Sequence, residues 1–137
     1  MKIVVGFVDR PESEAALDRA VEEAKLRDAE LIVIHSTKGG ERDETEHAIA
    51  YRDILDRVEE ELESAGVTYE VRQFVRGKTP AEDLVAVADN EGADLIVIGL
   101  RRRSPVGKLI LGSHAQDVLL STDVPVLCVP AGSEFDA

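Results

Sequence analysis

Residues 2–24, KIVVGFVDRPESEAALDRAVEEA, place a strand and a helix back to back. From Lys2 to Val8 the run is rich in β-branched residues and unbroken, the composition of a strand covered on both faces in a parallel sheet. Pro11 and Glu12 then open a helix, because the missing proline N–H costs nothing in a first turn. Ala16, Leu17, Ala20, Val21 and Ala24 recur every three or four residues, while Asp18, Arg19, Glu22 and Glu23 fall on the opposite side. The apolar stripe is made largely of small residues, so this helix is expected to lie close on the sheet.

The same alternation continues outward. Glu30–Ser36 (ELIVIHS) reads as a second strand, followed by the turn-prone Lys38-Gly39-Gly40 and an acidic segment, Glu41 to Glu46, expected to be a flexible loop. Tyr51, Leu55, Val58, Leu62 and Ala65 form a helical stripe closed by Gly66, where a left-handed cap is wanted. Val67–Val75 alternates apolar and polar, as a strand near a sheet edge does. Thr79 reads as an N-cap with Pro80 at the first helical position, and Leu84, Val85 and Ala88 carry that helix onto the sheet. Asp94–Ile98 (DLIVI) is a fourth strand ending at Gly99. Ser113 and Gln116 have the S-x-x-Q spacing of a capping box at the start of the last helix. Val124–Val129 (VPVLCV) is the last strand, and Pro125 favours an edge position. Strands alternating with helices imply an α/β fold with a five-stranded parallel sheet and helices on both faces. Residues 1–137 are expected to form one domain, with 130–137 a loose tail.

Composition narrows the function classes. Asp and Glu number 28 against 16 Lys and Arg, a net charge of -12, which repels nucleic acid and anionic membrane unless basic residues are gathered. One such cluster exists, Arg101-Arg102-Arg103. The acids are spread through helices, as in Glu59-Glu60-Glu61, which suits a solvated face better than a metal site. Arg outnumbers Lys eleven to five, which with the acid excess resembles a salt-adapted composition. A single cysteine, Cys128, excludes a disulfide framework and reads as a small buried hydrophobe in a reduced compartment. The apolar run at the N-terminus is too short for a secretory core or a membrane span, so a cytoplasmic location is expected.

In an open parallel sheet the ligand crevice lies beyond the carboxyl ends of the strands, where the winding reverses. Spacing alone leaves the strand order open. With the order 3-2-1-4-5 the reversal falls between strands one and four, and the loops meeting there are Asp9-Arg10-Pro11 and Gly99 to Leu111. The second loop suits phosphate: the first N–H groups of the last helix and the Ser113 hydroxyl make a positive pole. Gly112 permits close backbone approach, and Arg101 to Arg103 with Lys108 add full charges. Asp9 could carry Mg²⁺ or Mn²⁺ against phosphates, or bond ribose hydroxyls. The plainer alternative is that Ser113 only caps a helix and the arginines offset nearby acids. Gly107-Lys108 is not a phosphate loop of the Walker type, since Arg102 and Leu109 stand where glycine and Ser or Thr are required. No G-x-G-x-x-G follows strand one, and His35, His47 and His114 have no zinc-type spacing.

Gly99-Leu-Arg-Arg102 to Gly112-Ser113, followed by AQDVLLSTDVPVLCVP, resembles the universal stress protein pattern G-x2-G-x9-G-[ST] and its terminal strand. KIVVGFVD with SEAALDRAVEEA is similar to that family's first βα unit, and LIVIHS and VRGKTPAEDLVAVADNEGADLIVIG fit its middle. The resemblance covers nearly the whole chain and implies the order 3-2-1-4-5. It implies ATP, or ADP or AMP, with or without Mg²⁺ or Mn²⁺, held by Asp9 after strand one, by Ser36 through its main chain, and by Gly99, Gly112, Ser113 and Ala115. Val8, Ile98, Arg101, Arg102 and His114 complete the expected nucleotide site. It also implies a homodimer through the last strand, using Val126, Leu127 and Val129, which would cover an exposed edge. Two positions depart from the family pattern: Arg102 stands in place of the second glycine, and Asp9-Arg10-Pro11 in place of Asp-Gly-Ser. Either Arg102 blocks the site or its guanidinium replaces backbone contacts to phosphate, the latter being favoured.

No nucleophile stands beside a base, and Asp9 is a lone acid, so no catalytic residue is assigned. The leading expectation is a nucleotide-binding stress-response module. The alternatives are a dimeric interaction protein of the same fold without nucleotide, and a slow ATP hydrolase acting through Asp9.

Overall fold

The structure is a computed structural model, which describes residues 1–7, 11–37, 43–75, 79–101 and 111–131. Among the described residues five strands alternate with four helices: β1 (Lys2–Gly6), α1 (Pro11–Arg27), β2 (Glu30–Thr37), α2 (Asp43–Ala65), β3 (Tyr69–Val75), α3 (Pro80–Glu91), β4 (Leu95–Leu100), α4 (Ser113–Ser121) and β5 (Val126–Pro130). All neighbouring strands run parallel, in the order β3-β2-β1-β4-β5. The alternating strand at Tyr69–Val75 and the proline-flanked Val126–Pro130 are the two edges, as their patterns imply.

The period of two along each central strand divides the core into two layers. Ile3, Val5, Leu31, Val33 and Val97 point to the α1 and α2 side, where they meet Ala16, Leu17, Ala20, Val58 and Leu62. Val4, Ile32, Ile34, Ile96 and Ile98 point to the α3 and α4 side, against Leu84, Ala88, Ala115 and Val118. Both faces of β1, β2 and β4 are therefore dry. This is why their sequences read as unbroken apolar runs.

Helix ends follow local chemistry. Thr79 Oγ1 accepts from Glu82 N–H at 3.2 Å, with Pro80 in the first turn. Gly66 closes α2 at φ 75°, a conformation that costs a side-chain-bearing residue strain.

Several expectations are corrected. The segment from Asp43 to Glu46, read as loop, is the start of α2; Lys38 to Arg42 lies outside the described residues. Glu23, read as solvent-facing, is only 6 % exposed, because Arg19 and Arg27, one turn away on either side, clasp its carboxylate at 2.9 and 3.0 Å. Pro130 and Ala131, placed in the loose tail, are tied to the sheet: Pro130 ends β5 opposite Leu100, and Ala131 N–H donates to Leu100 O at 2.9 Å. Ser113 is the first residue of α4 and Gly112 holds the N-cap position, so the S-x-x-Q capping box does not form. The residue doing the bonding there is Gly112, whose carbonyl accepts from Gln116 N–H at 3.1 Å. Cys128 is half-buried instead of fully enclosed, since β5 has a neighbour on one side only.

Candidate functional site

The strand order turns at β1, whose two neighbours are β2 and β4. At that turn, beyond the carboxyl ends of the strands, lies a cavity of about 430 Å³. Its floor is sheet: Gly6 at the end of β1 with Phe7 just beyond it, Ile34 and Ser36 on β2, and Ile98 to Leu100 on β4. The walls are the first turns of three helices, with Glu12 and Ser13 from α1, Thr79 to Ala81 from α3, and Gly112 to Ala115 from α4.

Of the residues singled out in the sequence, Ser36, Ile98, Gly99, Arg101, Gly112, Ser113, His114 and Ala115 all line this one cavity. Val8, Asp9 and Arg102, with Arg103 and Lys108, lie outside the described residues. Ile98 and Ala115 are buried, whereas Ser113 and His114 are exposed at the rim.

The two glycines act differently. A Cβ on Gly99 would overlap the carbonyl oxygen, carbonyl carbon and Cβ of Glu12, so only glycine lets the start of α1 rest on the end of β4. Gly112 has an ordinary φ of -73°, and a Cβ there would meet no atom within 4 Å. Its lack of a side chain keeps one part of the wall open.

Charge at the site comes from both ends of the crevice. Arg101 Nε stands 4.0 Å from Glu12 Oε1, joining the β4 loop to the first turn of α1. The guanidinium is half exposed, and so within reach of an anion as well. At α4 the first bond into the helix is made by Gln116 N–H, which leaves the N–H groups of Ser113, His114 and Ala115 outside the intrahelical ladder. They form the positive end of the helix beside the cavity.

The hydroxyl of Ser36 donates to Asp83 Oδ2 at 2.8 Å, and both residues are buried. On the other face of the same strand, His35 Nδ1 is 2.8 Å from Phe7 O, which pins the segment following β1 to β2. Glu12, Ser13, Thr79 and Asp83 were not singled out as site residues. Their one sequence signal is position: each sits in the first turn of a helix that follows a strand, the part of a βα unit that faces the crevice. Among the described residues no group of three or more His, Cys, Asp or Glu could hold a metal ion. Nor is any described helix long and apolar enough to cross a membrane.

Comparison with known proteins agrees with this architecture. The family model described as "Universal stress protein family" matches residues 1–130. A curated relative from Mycolicibacterium smegmatis, named "Universal stress protein", is 44% identical over 127 residues, which is 93% of this chain and 95% of the relative. A solved universal stress protein from Archaeoglobus fulgidus superposes with a TM-score of 0.78 at 42% identity, covering 94% of this chain and 98% of that one. A structure of the universal stress protein from the same organism in complex with dAMP gives a TM-score of 0.73 at 36% identity, over 94% and 97% of the two chains.

Proposed function

The chain belongs to the universal stress protein family, and on that footing we propose that it binds an adenine nucleotide in the cavity between β1 and β4 as a stress-response module. One observation carries the reading: the positive start of α4, the half-exposed Arg101 and the glycine Gly112 converge on a single cavity at the reversal of the sheet. Helix N–H groups and a guanidinium suit a phosphate. The apolar lining supplied by Ile34 and Ile98 of the sheet and Leu84 of α3 suits a base. The dAMP complex of the Archaeoglobus relative supports adenine as the base.

ATP, as against a monophosphate, is proposed on the sequence: Arg102, Arg103 and Lys108 would add charge for further phosphates, and Asp9 would carry Mg²⁺ or Mn²⁺ against them. The acid excess fits a protein that works in the cytoplasm at high salt. The β5 edge, through Val126, Leu127 and Val129, is proposed as the seam of a homodimer, since an edge strand presents unpaired backbone groups. Calorimetry with AMP and with Mg-ATP, at low and high salt, tests the binding. Binding should be saturable and should weaken about tenfold or more in Ser113→Asp, which sets a carboxylate at the phosphate position. Absence of heat with AMP, ADP and ATP alike would favour the interaction protein without nucleotide.

A further inference from the structure

Ser36 stands at the carboxyl end of β2 with its side chain on the α3 side of the sheet, where it lines the cavity. A serine hydroxyl can donate one hydrogen bond and accept two, and its proton ordinarily rotates to suit whatever approaches. Here it does not have that freedom. Asp83 Oδ2 lies 2.8 Å from Ser36 Oγ, both residues are buried, and a carboxylate oxygen only accepts. The Ser36 proton is therefore committed to Asp83, and what the oxygen has left to offer a group in the cavity is its lone pairs.

Asp83 is itself held in place. Its N–H donates to Thr79 O at 3.0 Å in the first turn of α3, and that turn is fastened by the Thr79 cap and by Pro80. The sheet and the capped helix thus fix the donor, Ser36, and the acceptor, Asp83, from opposite sides.

We propose that the Ser36–Asp83 pair makes this site a reader of the 6-substituent of a purine, selecting a base that presents an amine and rejecting one that presents a carbonyl. This rests on the nucleotide-binding reading above. The exocyclic amine of adenine can donate to the lone pairs of Ser36. A 6-oxo purine would turn its own lone pairs against them, leaving two buried acceptors without a proton between them, the arrangement that buried sites reject most strongly. Ser36 is the specificity-determining contact, and Asp83 is a positioning residue that acts through it. Main-chain contacts to the base could also favour adenine, so the side-chain contribution is the part of the preference that a side-chain change removes.

The experiment compares AMP with IMP by calorimetry on the wild-type chain and on Ser36→Ala/Asp83→Ala. The double variant removes the hydroxyl without stranding a buried carboxylate, and its fold is checked by its melting curve. The wild type is expected to prefer AMP by at least about tenfold, and the double variant should lose at least about fivefold of that preference. Asp83→Ala alone frees the Ser36 proton to turn into the cavity, so IMP should gain affinity there while AMP falls, a change that loss of packing would not produce. An AMP-to-IMP ratio that is the same in wild type and double variant overturns the proposal while leaving nucleotide binding intact. If neither nucleotide binds the wild type, the parent reading falls and this one with it.

Discussion

Gly99 and Glu12 are packed so closely that no side chain fits between them. The contact joins the end of β4 to the first turn of α1, and it brings Glu12 and Ser13 to the wall of the cavity. Gly99→Ala should therefore act on the site and on stability together. Pushing the start of α1 off β4 is expected to destabilise the chain by about 1–3 kcal/mol, as overpacking does, and to weaken AMP binding. Chemical denaturation with calorimetry checks it; an unchanged midpoint would mean the two elements can slide apart at no cost.

The capped start of α3 offers a quantity that is easier to isolate. Removing the Thr79 hydroxyl leaves Glu82 N–H without its 3.2 Å acceptor, and Thr79→Ala is expected to cost about 1 kcal/mol. Thr79→Ser keeps the oxygen and should recover most of the loss. If serine is no better than alanine in urea titrations, the cap contributes through packing alone.

Acid should weaken the fold from a definite point. Glu23, Glu70 and Glu91 are each held below their ordinary 4.5, chiefly by hydrogen bonds from Arg27, Arg72 and Lys2 respectively. A carboxyl whose pKa is lower folded than unfolded lends stability above the unfolded value, and that stability drains away as pH falls through the folded one. The urea midpoint is thus expected to be level above about pH 5 and to drop below 4.5. Arg72 bonds Glu70 at 2.7 Å and Glu91 at 3.2 Å, so Arg72→Met should make the drop shallower. Glu70 and Glu91 and their partners Arg72 and Lys2 are partly exposed, so molar salt should flatten their share of the curve as well.

Burial pushes the Cys128 thiol up from its ordinary value, and the thiolate is the reactive form. At pH 8 the native chain should react with a disulfide reagent at least about tenfold more slowly than the chain unfolded in guanidinium. Equal rates would show that β5 leaves the sheet readily.

The elements were legible because a parallel sheet buried on both faces writes its strands as apolar runs and its helices as stripes. The proline and glycine boundaries at Pro11, Gly66 and Thr79-Pro80 stand where the sequence puts them, whereas Gly99, expected to end the fourth strand, lies inside β4, which pairs with β5 as far as Leu100. What sequence spacing could not supply was order: nothing in the run Leu95–Leu100 says that it lies beside β1 and not beside β3, and the family resemblance supplied it. Misreadings arose where a side chain's fate depends on partners. A helical wheel puts Glu23 in solvent because it carries the residue's angle and not the two arginines that fold over it. The spacing of Ser113 to Gln116 suggests a cap because cap and first-turn positions share it. The Ser36–Asp83 bond and the Gly99–Glu12 contact join distant segments and leave no local trace. Asp9 and Arg102, on which the phosphate reading also leaned, lie outside the described residues.

Seven rungs run between β2 and β3, from Leu31 to Thr37, but three between β1 and β4, from Ile3 to Val5. The two halves of the sheet are laced together along a seam that stops before β4 does. Room for a guest exists at this place because the lacing ends early there: the emptiness is a property of the ladder, and substitutions in the surrounding side chains can reshape it without closing it.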